Sequence, residues 1–126
     1  MNGARILVVE DNPLNLKLVR DVLGAAGYDV VSATSGEDGL RMAAEHPPDL
    51  VLMDLQLPGI DGAETMRRLR DGTLADYVPV VAVTAFAMAE DQANATRAGF
   101  DGYLEKPISV RALVGHVRGF LRGGRR

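Results

Sequence analysis

The sequence predicts an α/β fold, a doubly wound five-stranded parallel sheet with helices on both faces. Short apolar runs alternate with helix-like segments along the whole chain, as expected when helical crossovers join parallel strands. The runs lack hydrophobic/polar alternation, so both faces of the sheet should be buried. Short connections with right-handed crossovers fit the doubly wound strand orders, of which we expect 2-1-3-4-5.

A strand and a capped helix begin the chain. The strand is predicted over 5–10. Asn12 is the expected N-cap of the helix, Pro13 its first residue, and Gly27 its left-handed C-terminal cap. The helix should turn an apolar stripe toward the sheet. That stripe is predicted to comprise Leu14, Leu18, Val19, Val22, Leu23 and Ala26.

A second strand and helix follow, and then the third strand. The second strand is predicted over 28–33, and Ser35 has the spacing of an N-cap for the next helix. The predicted inner face of that helix comprises Leu40, Ala43 and Ala44. His46-Pro47-Pro48 should end it. The third strand, over 50–53, leads directly into Asp54.

The second half of the chain contains two more strands and three helices. Asp61 is the expected N-cap of the third helix, and the fourth strand begins after Pro79. An alanine-rich helix is predicted over 85–98, and its scarcity of large apolar side chains suggests weak anchoring to the sheet. The short fifth strand covers 102–104, and Ser109 should cap the last helix.

Length and composition favour one cytoplasmic domain. The chain has 126 residues, nearly half of them apolar, and no cysteine, which suits one ordinary globular domain without a disulfide framework. No apolar stretch approaches the ~20 residues of a membrane span, and no signal peptide is visible. We expect a single domain over 1–126, ordered over about 4–122, with a flexible basic tail over 123–126.

The charge distribution is asymmetric. The net charge is −3, but five arginines and no acid follow from Arg111 onward, so the residues before it carry −8. A basic end is compatible with a nucleic-acid or acidic partner. The simpler interpretation is a last helix whose basic residues complement its dipole. We therefore expect no direct DNA binding and no membrane association.

Polar side chains follow four of the predicted strands. Glu10-Asp11, Asp54, Thr84 and Lys106 stand where the first, third, fourth and fifth strands end. Because the carboxyl ends of parallel strands meet at one edge, these side chains should lie close together. Crowded carboxylates repel one another unless a cation lies among them. Asp11, Asp54 and a backbone carbonyl just past Asp54 would suit Mg²⁺, which prefers oxygen ligands.

Such a site suggests phosphoryl transfer to an aspartate. Asp54, kept ionised by the metal and by Lys106, is a candidate carboxylate nucleophile. Lys106 would contact one phosphoryl oxygen as a point charge and Thr84 would donate to another. Each residue also has an ordinary interpretation: a helix-capping loop, a loop acid, a strand threonine or a surface lysine. Their coincidence at successive strand ends favours the phosphoacceptor.

With these motifs the chain resembles the receiver domains of bacterial two-component response regulators over essentially its whole length. The matching segments are ILVVEDN, DLVLMDLQLPGIDG, PVVAVTA and GYLEKPIS. Among them the chain is most similar to single-domain regulators of the DivK type, through EDNPLNLKLV, VPVVAVTAFAM and KPISV. The resemblance implies a flavodoxin-like (βα)5 fold.

The resemblance also implies the roles of the acidic residues. Asp54 matches the phosphorylated aspartate and Asp11 the metal-binding acid, with Glu10 supporting it. The backbone carbonyl of Gln56 matches the third protein ligand of Mg²⁺, for which Mn²⁺ is an expected substitute. In the family two side chains tune the rate of phosphate loss, and here they are Gln56 and Phe86.

Further roles follow from the same resemblance. Thr84 and Lys106 match the pair that hold the phosphoryl oxygens, and the Lys106-Pro107 bond is expected to be cis. Tyr103 stands at the family's switch aromatic, which turns inward as Thr84 moves toward the phosphate. From the residues alone, Tyr103 is equally a partly buried strand tyrosine without a switching role.

The implied function is a stand-alone response regulator rather than an enzyme, catalysing only its own phosphorylation and dephosphorylation. A histidine kinase or a histidine phosphotransfer protein would supply the phosphoryl group. Phosphorylation would change the face formed by the fourth helix, fifth strand and fifth helix, which binds a downstream protein. We expect no output domain after Arg126, so the signal is expected to pass through protein–protein binding.

Several alternatives stay open. The chain could act as a phosphate sink in a phosphorelay, or be a receiver excised from a hybrid kinase. A receiver that signals without phosphate is a further alternative, which the complete acidic set disfavours. A flavin-binding electron carrier shares the strand order, but its phosphate loop after the first strand would meet Glu10 and Asp11, which repel a phosphate lacking a metal.

Overall fold

Five parallel strands alternate with five helices in the computed structural model, which describes residues 3–85 and 89–123. The strands lie in the order β2-β1-β3-β4-β5 and all pairs are parallel, so the predicted doubly wound sheet is confirmed. The strands are β1 Arg5–Val9, β2 Asp29–Ala33, β3 Leu50–Asp54, β4 Val80–Thr84 and β5 Gly102–Glu105. The helices are α1 Pro13–Ala25, α2 Gly36–Glu45, α3 Gly62–Arg68, α4 Ala89–Ala98 and α5 Val110–Gly123.

Two hydrophobic clusters cover the two faces of the sheet. Leu7 and Val9 of β1 face α2, α3 and α4, whereas Ile6 and Val8 face α1 and α5. Every residue of β3 and β4 is buried. This two-sided burial explains why the strand sequences show no hydrophobic/polar alternation.

The buried face of α1 differs from the predicted stripe. Leu16, Val19 and Leu23 are its buried residues, whereas Leu14 is 78% exposed, so its assignment to the core was wrong. The rows 14/18/22 and 16/19/23 both have helical spacing and both are apolar. Spacing therefore could not decide which row packs on the sheet.

The buried face of α2 is formed by small residues. Gly36, Gly39 and Ala43 are buried, whereas Ala44, predicted to face inward, is exposed. A Cβ added at Gly39 would lie 3.0 Å from a methyl carbon of Val9. The close approach of α2 to β1 therefore depends on glycine, which an apolar-periodicity argument does not register.

The predicted helix caps are present. Asn12, Ser35, Asp61 and Ser109 each accept hydrogen bonds from backbone N–H groups of the following turn, at 2.9 to 3.3 Å. Gly27 has a φ of +97°, as expected for a left-handed residue after a helix. These local signals therefore located the starts of four helices and the end of α1.

The helix α3 passes into a π-helical turn, Leu69–Thr73, that the sequence did not indicate. The amide of Leu74 closes it by donating to the carbonyl of Leu69 at 2.8 Å. Arg70, within this turn, places Nη2 2.8 Å from Oδ2 of Asp101, just before β5. The same carboxylate oxygen accepts from the amide of Val80 at 2.9 Å. The turn is thus joined to the starts of β4 and β5.

The helix α4 offers little apolar area to the sheet. Among its described side chains, Ala95 alone is buried, in agreement with the weak anchoring predicted for this segment. Residues 86–88 of the predicted helix lie outside the described residues. Of the predicted tail, Gly123 ends α5 and residues 124–126 are not described. Over the described ranges, no helix combines the length and apolar character needed to cross a bilayer.

Candidate metal and phosphoacceptor site

The sheet brings the predicted site residues to one edge. Asp54 is the last residue of β3 and Thr84 the last residue of β4, while Glu10 and Lys106 directly follow β1 and β5. Because β3 and β4 are paired in parallel, with Asp54 opposite Val83, Asp54 and Thr84 lie at the same end of the sheet. The carboxyl ends of these short parallel strands therefore lie at one edge of the sheet, together with the residues that follow them.

Lys106 lies between two buried carboxylates. Its Nζ is 2.9 Å from Oε1 of Glu10 and 3.0 Å from Oδ2 of Asp54. Its backbone N–H donates to the carbonyl of Thr84 at 2.8 Å, which fixes the start of the side chain. The Lys106–Pro107 peptide bond is cis. One ammonium group therefore connects the ends of three strands.

Three acidic residues form a cluster at this site. Glu10 and Asp54 are almost fully buried, 4% and 3% exposed, whereas Asp11 is exposed. Each offers a carboxylate oxygen, and these oxygens lie within 4.8 Å of one another. Burial raises the pKa of Glu10, and the neighbouring Asp54 carboxylate adds to this, against the opposing effect of Lys106.

The charge of Lys106 is stabilised by its position. Burial lowers its pKa, but the hydrogen bonds and charges of Glu10 and Asp54 outweigh burial, so that the pKa of Lys106 lies above its usual value. The ammonium group therefore stays protonated throughout the neutral range.

Backbone amides orient both buried carboxylates. The N–H of Gln56 donates to Oδ1 of Asp54 at 2.9 Å, and the N–H of Asn12 donates to Oε2 of Glu10 at 3.1 Å. Gly62 packs against this turn, because a Cβ there would lie 2.4 Å from the carbonyl oxygen of Asp54. The sequence did not indicate these contacts, since they involve main-chain groups that every residue possesses.

The donor set fits a small, hard divalent cation. Three carboxyl groups and the single ammonium group of Lys106 share this site, and crowded carboxylates favour a bound cation. The donors are oxygens only, and exposed Asp11 leaves the cluster accessible to water, as Mg²⁺ requires. The carboxylate oxygens of Glu10, Asp11 and Asp54 could hold such an ion.

A cavity of about 230 Å³ adjoins the site on the α3 and α4 side. Thr84, which is buried, and Gln56 contribute to its wall, together with residues of α3, α4 and the loops beside them. One polar residue in this wall, Asn94 of α4, was not anticipated, because nothing in an alanine-rich helix distinguishes the side that faces the site. Half-buried Tyr103 packs against the hydrophobic cluster on the same face of the sheet. Phe86, predicted to tune phosphate loss, lies outside the described residues.

Comparison with known proteins agrees with this geometry. Residues 6–118 match the response regulator receiver domain family. The chain is 43% identical to the polar-differentiation response regulator DivK of Brucella ovis, over 92% of this chain and 94% of that protein. A response regulator from Chloroflexus aurantiacus J-10-fl superposes with a TM-score of 0.88 at 32% identity, covering 96% of this chain and 99% of that one.

A third relative bears on the metal. The receiver domain of the sensor histidine kinase PA1611 from Pseudomonas aeruginosa PAO1 has a TM-score of 0.86 at 34% identity, covering 95% of this chain and 98% of that chain. That structure carries a magnesium ion coordinated in its active site cleft. With its strand order, its acidic strand ends and a family match over most of its length, the chain belongs to the response regulator receiver domain family of two-component signalling.

Proposed function

We propose that this chain is a phosphorylation switch in which Asp54 accepts a phosphoryl group from a phosphohistidine. The donor would be a histidine kinase or a histidine phosphotransfer protein. The observation that carries the proposal is the contact of 3.0 Å between Lys106 Nζ and Asp54 Oδ2, within a cluster of acids at the ends of parallel strands. A buried carboxylate paired with an ammonium group has the features of an activated carboxylate nucleophile.

The proposed reaction is an in-line displacement at phosphorus. A carboxylate oxygen of Asp54 forms the new P–O bond while the P–N bond to the donor imidazole breaks, and the imidazole nitrogen keeps the electron pair. The product is an acyl phosphate. Lys106 and Thr84 would neutralise and orient the phosphoryl oxygens, which is the main demand of phosphoryl transfer.

Magnesium belongs to the same proposal, and Mn²⁺ is an expected substitute. Asp11, Asp54 and the Gln56 carbonyl would hold the ion, with Glu10 in support. The bound ion supplies positive charge that offsets the negative charge of the phosphoryl oxygens. Spacing of the carboxylate oxygens within 4.8 Å supports this assignment.

Phosphorylation would be read by a downstream protein on the face formed by α4, β5 and α5. We propose that Thr84 and Tyr103 transmit the change, and that Gln56 and Phe86 tune the rate of phosphate loss. The sparse burial of α4 supports its role as the element that moves, because weakly packed segments shift at low free-energy cost.

Phosphorylation with acetyl phosphate and Mg²⁺ tests the assignment of Asp54. The wild-type protein should gain the mass of one phosphoryl group, and Asp54→Asn should gain none. Asp76→Asn is a matched control, because Asp76 is exposed in the loop before β4, and it should be phosphorylated like wild type. Uptake of acid-labile phosphate by Asp54→Asn would contradict the proposal.

A second measurement separates an adaptor from a phosphate sink. Binding of a partner that prefers the phosphorylated protein, with an acyl phosphate that outlives the binding, is expected of an adaptor. Rapid loss of phosphate without such a partner would instead support the sink.

A further inference from the structure

We infer that Glu10 is a positioning residue for Lys106, holding its ammonium group at the site independently of Asp54. The inference deepens the proposed function and rests on it, since Lys106 matters there as the group that meets the phosphoryl oxygens. Glu10 Oε1 lies 2.9 Å from Lys106 Nζ, slightly closer than Asp54 Oδ2 at 3.0 Å.

Glu10 is itself held rigidly. Its backbone N–H donates to the carbonyl of Ala33 at 3.0 Å, and its Oε2 accepts from the N–H of Asn12 at 3.1 Å. Only 4% of the residue is exposed. Both carboxylate oxygens are therefore engaged by the protein, one by a backbone amide and the other by Lys106. Exposed Asp11, by contrast, is better placed to meet a hydrated ion.

The second anchor matters when Asp54 reacts. Formation of the P–O bond consumes one carboxylate oxygen of Asp54 and changes the charge around the other. A lysine held by Asp54 alone would then lose its fixed position, because its four-carbon stem rotates freely. The contact with Glu10 does not involve the reacting atoms, so it keeps Nζ close to the new phosphoryl oxygens before and after transfer.

Lysine-specific NMR tests the inference without any phosphorylation. The chain contains two lysines, Lys106 and Lys17, and the side chain of Lys17 is 68% exposed, which makes it an internal solvent-exposed control. In Asp54→Ala, side-chain relaxation of ¹³C-labelled Lys106 should remain clearly more restricted than that of Lys17. In Glu10→Gln/Asp54→Ala the two lysines should become similarly mobile. Lys106 as mobile as Lys17 in Asp54→Ala alone would overturn the inference.

Phosphorylation kinetics at saturating Mg²⁺ give a second test. Glu10→Gln keeps the shape and an acceptor oxygen but removes the charge, and it should slow phosphorylation by about tenfold. In a Lys106→Met background the same substitution should have no further effect, because its target is gone. Equal fold-losses in both backgrounds would overturn the inference.

Magnesium affinity distinguishes positioning from metal ligation. By calorimetry, Glu10→Gln should weaken Mg²⁺ binding clearly less than the control Asp11→Asn, which should bind at least about tenfold more weakly than wild type. A loss in Glu10→Gln as large as that in Asp11→Asn would assign Glu10 to the metal instead.

The two levels of the proposal fail in different ways. If wild-type protein takes up no phosphoryl group, the proposed function is wrong, and the NMR comparison still decides whether Glu10 holds Lys106. If Glu10→Gln does not give a folded far-UV circular dichroism spectrum, the measurement on Asp54→Ala retains the power to overturn the inference.

Discussion

Lys106 supplies the positive charge that pairs with the buried carboxylates of the site. It meets two buried carboxylates, and their attraction outweighs the burial that would otherwise lower its pKa. An ammonium group that stays protonated at neutral pH suits the proposed contact with phosphoryl oxygens. The same arrangement links the stability of the fold to the protonation of Lys106.

The raised pKa of Lys106 predicts a loss of stability in alkali. A folded-state pKa above the unfolded one means that the lysine contributes its full stabilisation below the unfolded value. That contribution disappears as the pH rises above 10.5 and through the folded-state pKa. Urea unfolding of wild type and Lys106→Met should be measured from neutral pH into this range. As the pH rises, the unfolding free energy of the wild type should fall relative to that of Lys106→Met. A difference independent of pH would contradict the assignment.

Gly62 is predicted to tolerate no side chain. A Cβ there would lie 2.4 Å from the carbonyl oxygen of Asp54 and 2.8 Å from the Cα of Leu55, so the backbone that carries the acid would have to move. We expect Gly62→Ala to reduce the free energy of unfolding by about 2 kcal/mol, measured by urea denaturation.

Gly115→Ala is the matched control for Gly62→Ala. Gly115 is exposed within α5, and a Cβ there would meet nothing within 4 Å. Alanine at this position should increase stability by roughly 0.5 to 1 kcal/mol, because glycine is costly inside a helix. Equal effects of the two substitutions would show that the close approach to Asp54 is unimportant.

The π-helical turn after α3 and its ion pair join elements that are distant along the chain. The side chains of Arg70 and Asp101 are only 12% and 17% exposed, and their contact is 2.8 Å. Ion pairs this sheltered from water are costly to break from one side, because the remaining charge lacks compensation. The contact lies at the opposite end of β4 from Thr84. There it joins the π-helical turn to the amino-terminal ends of β4 and β5.

Arg70→Ala is predicted to destabilise the fold by about 3 kcal/mol, since it leaves the sheltered carboxylate of Asp101 without its guanidinium partner. The control is Lys17→Ala, which breaks an exposed pair with Asp21 on α1. That substitution should leave the free energy of unfolding nearly unchanged, because water screens an exposed pair. Comparable losses in the two variants, measured by urea denaturation, would contradict the prediction.

Across the whole molecule, negative charge is concentrated before α5. The residues preceding Arg111 carry −8, out of a net charge of −3 for the chain. Within that excess, Glu10, Asp11 and Asp54 are brought close enough for one ion to contact carboxylate oxygens of more than one residue. A cation that binds only the folded arrangement stabilises it in proportion to the logarithm of its concentration.

Magnesium is therefore predicted to stabilise the fold. At 100 times its dissociation constant, Mg²⁺ should add about 2.7 kcal/mol to the free energy of unfolding. Asp11→Asn should lose most of this gain, and NaCl at equal ionic strength measures the contribution of general charge screening. The same increase in Asp11→Asn and wild type would contradict a specific site at these acids.

Patterns local to the chain predicted most of the fold and much of the candidate site. Uninterrupted apolar runs indicated strands buried on both faces, and Asn12, Ser35, Asp61 and Ser109 marked helix starts, because capping depends on near neighbours. Parallel strands that end together bring their following residues to one edge, so the positions of Asp54, Thr84 and Lys106 followed from the order of the segments.

Contacts between distant segments were beyond those patterns. Two equally apolar rows on α1 compete for the sheet, and packing alone selects Leu16 over Leu14. The π-helical turn, the pairing of Arg70 with Asp101 and the wall position of Asn94 likewise depend on neighbours far along the chain. The contact between Glu10 and Lys106 also depends on segments that are far apart in the sequence. Spacing along a chain specifies where an element begins and which residues can share a face, whereas pairs of distant side chains meet only after the elements have packed.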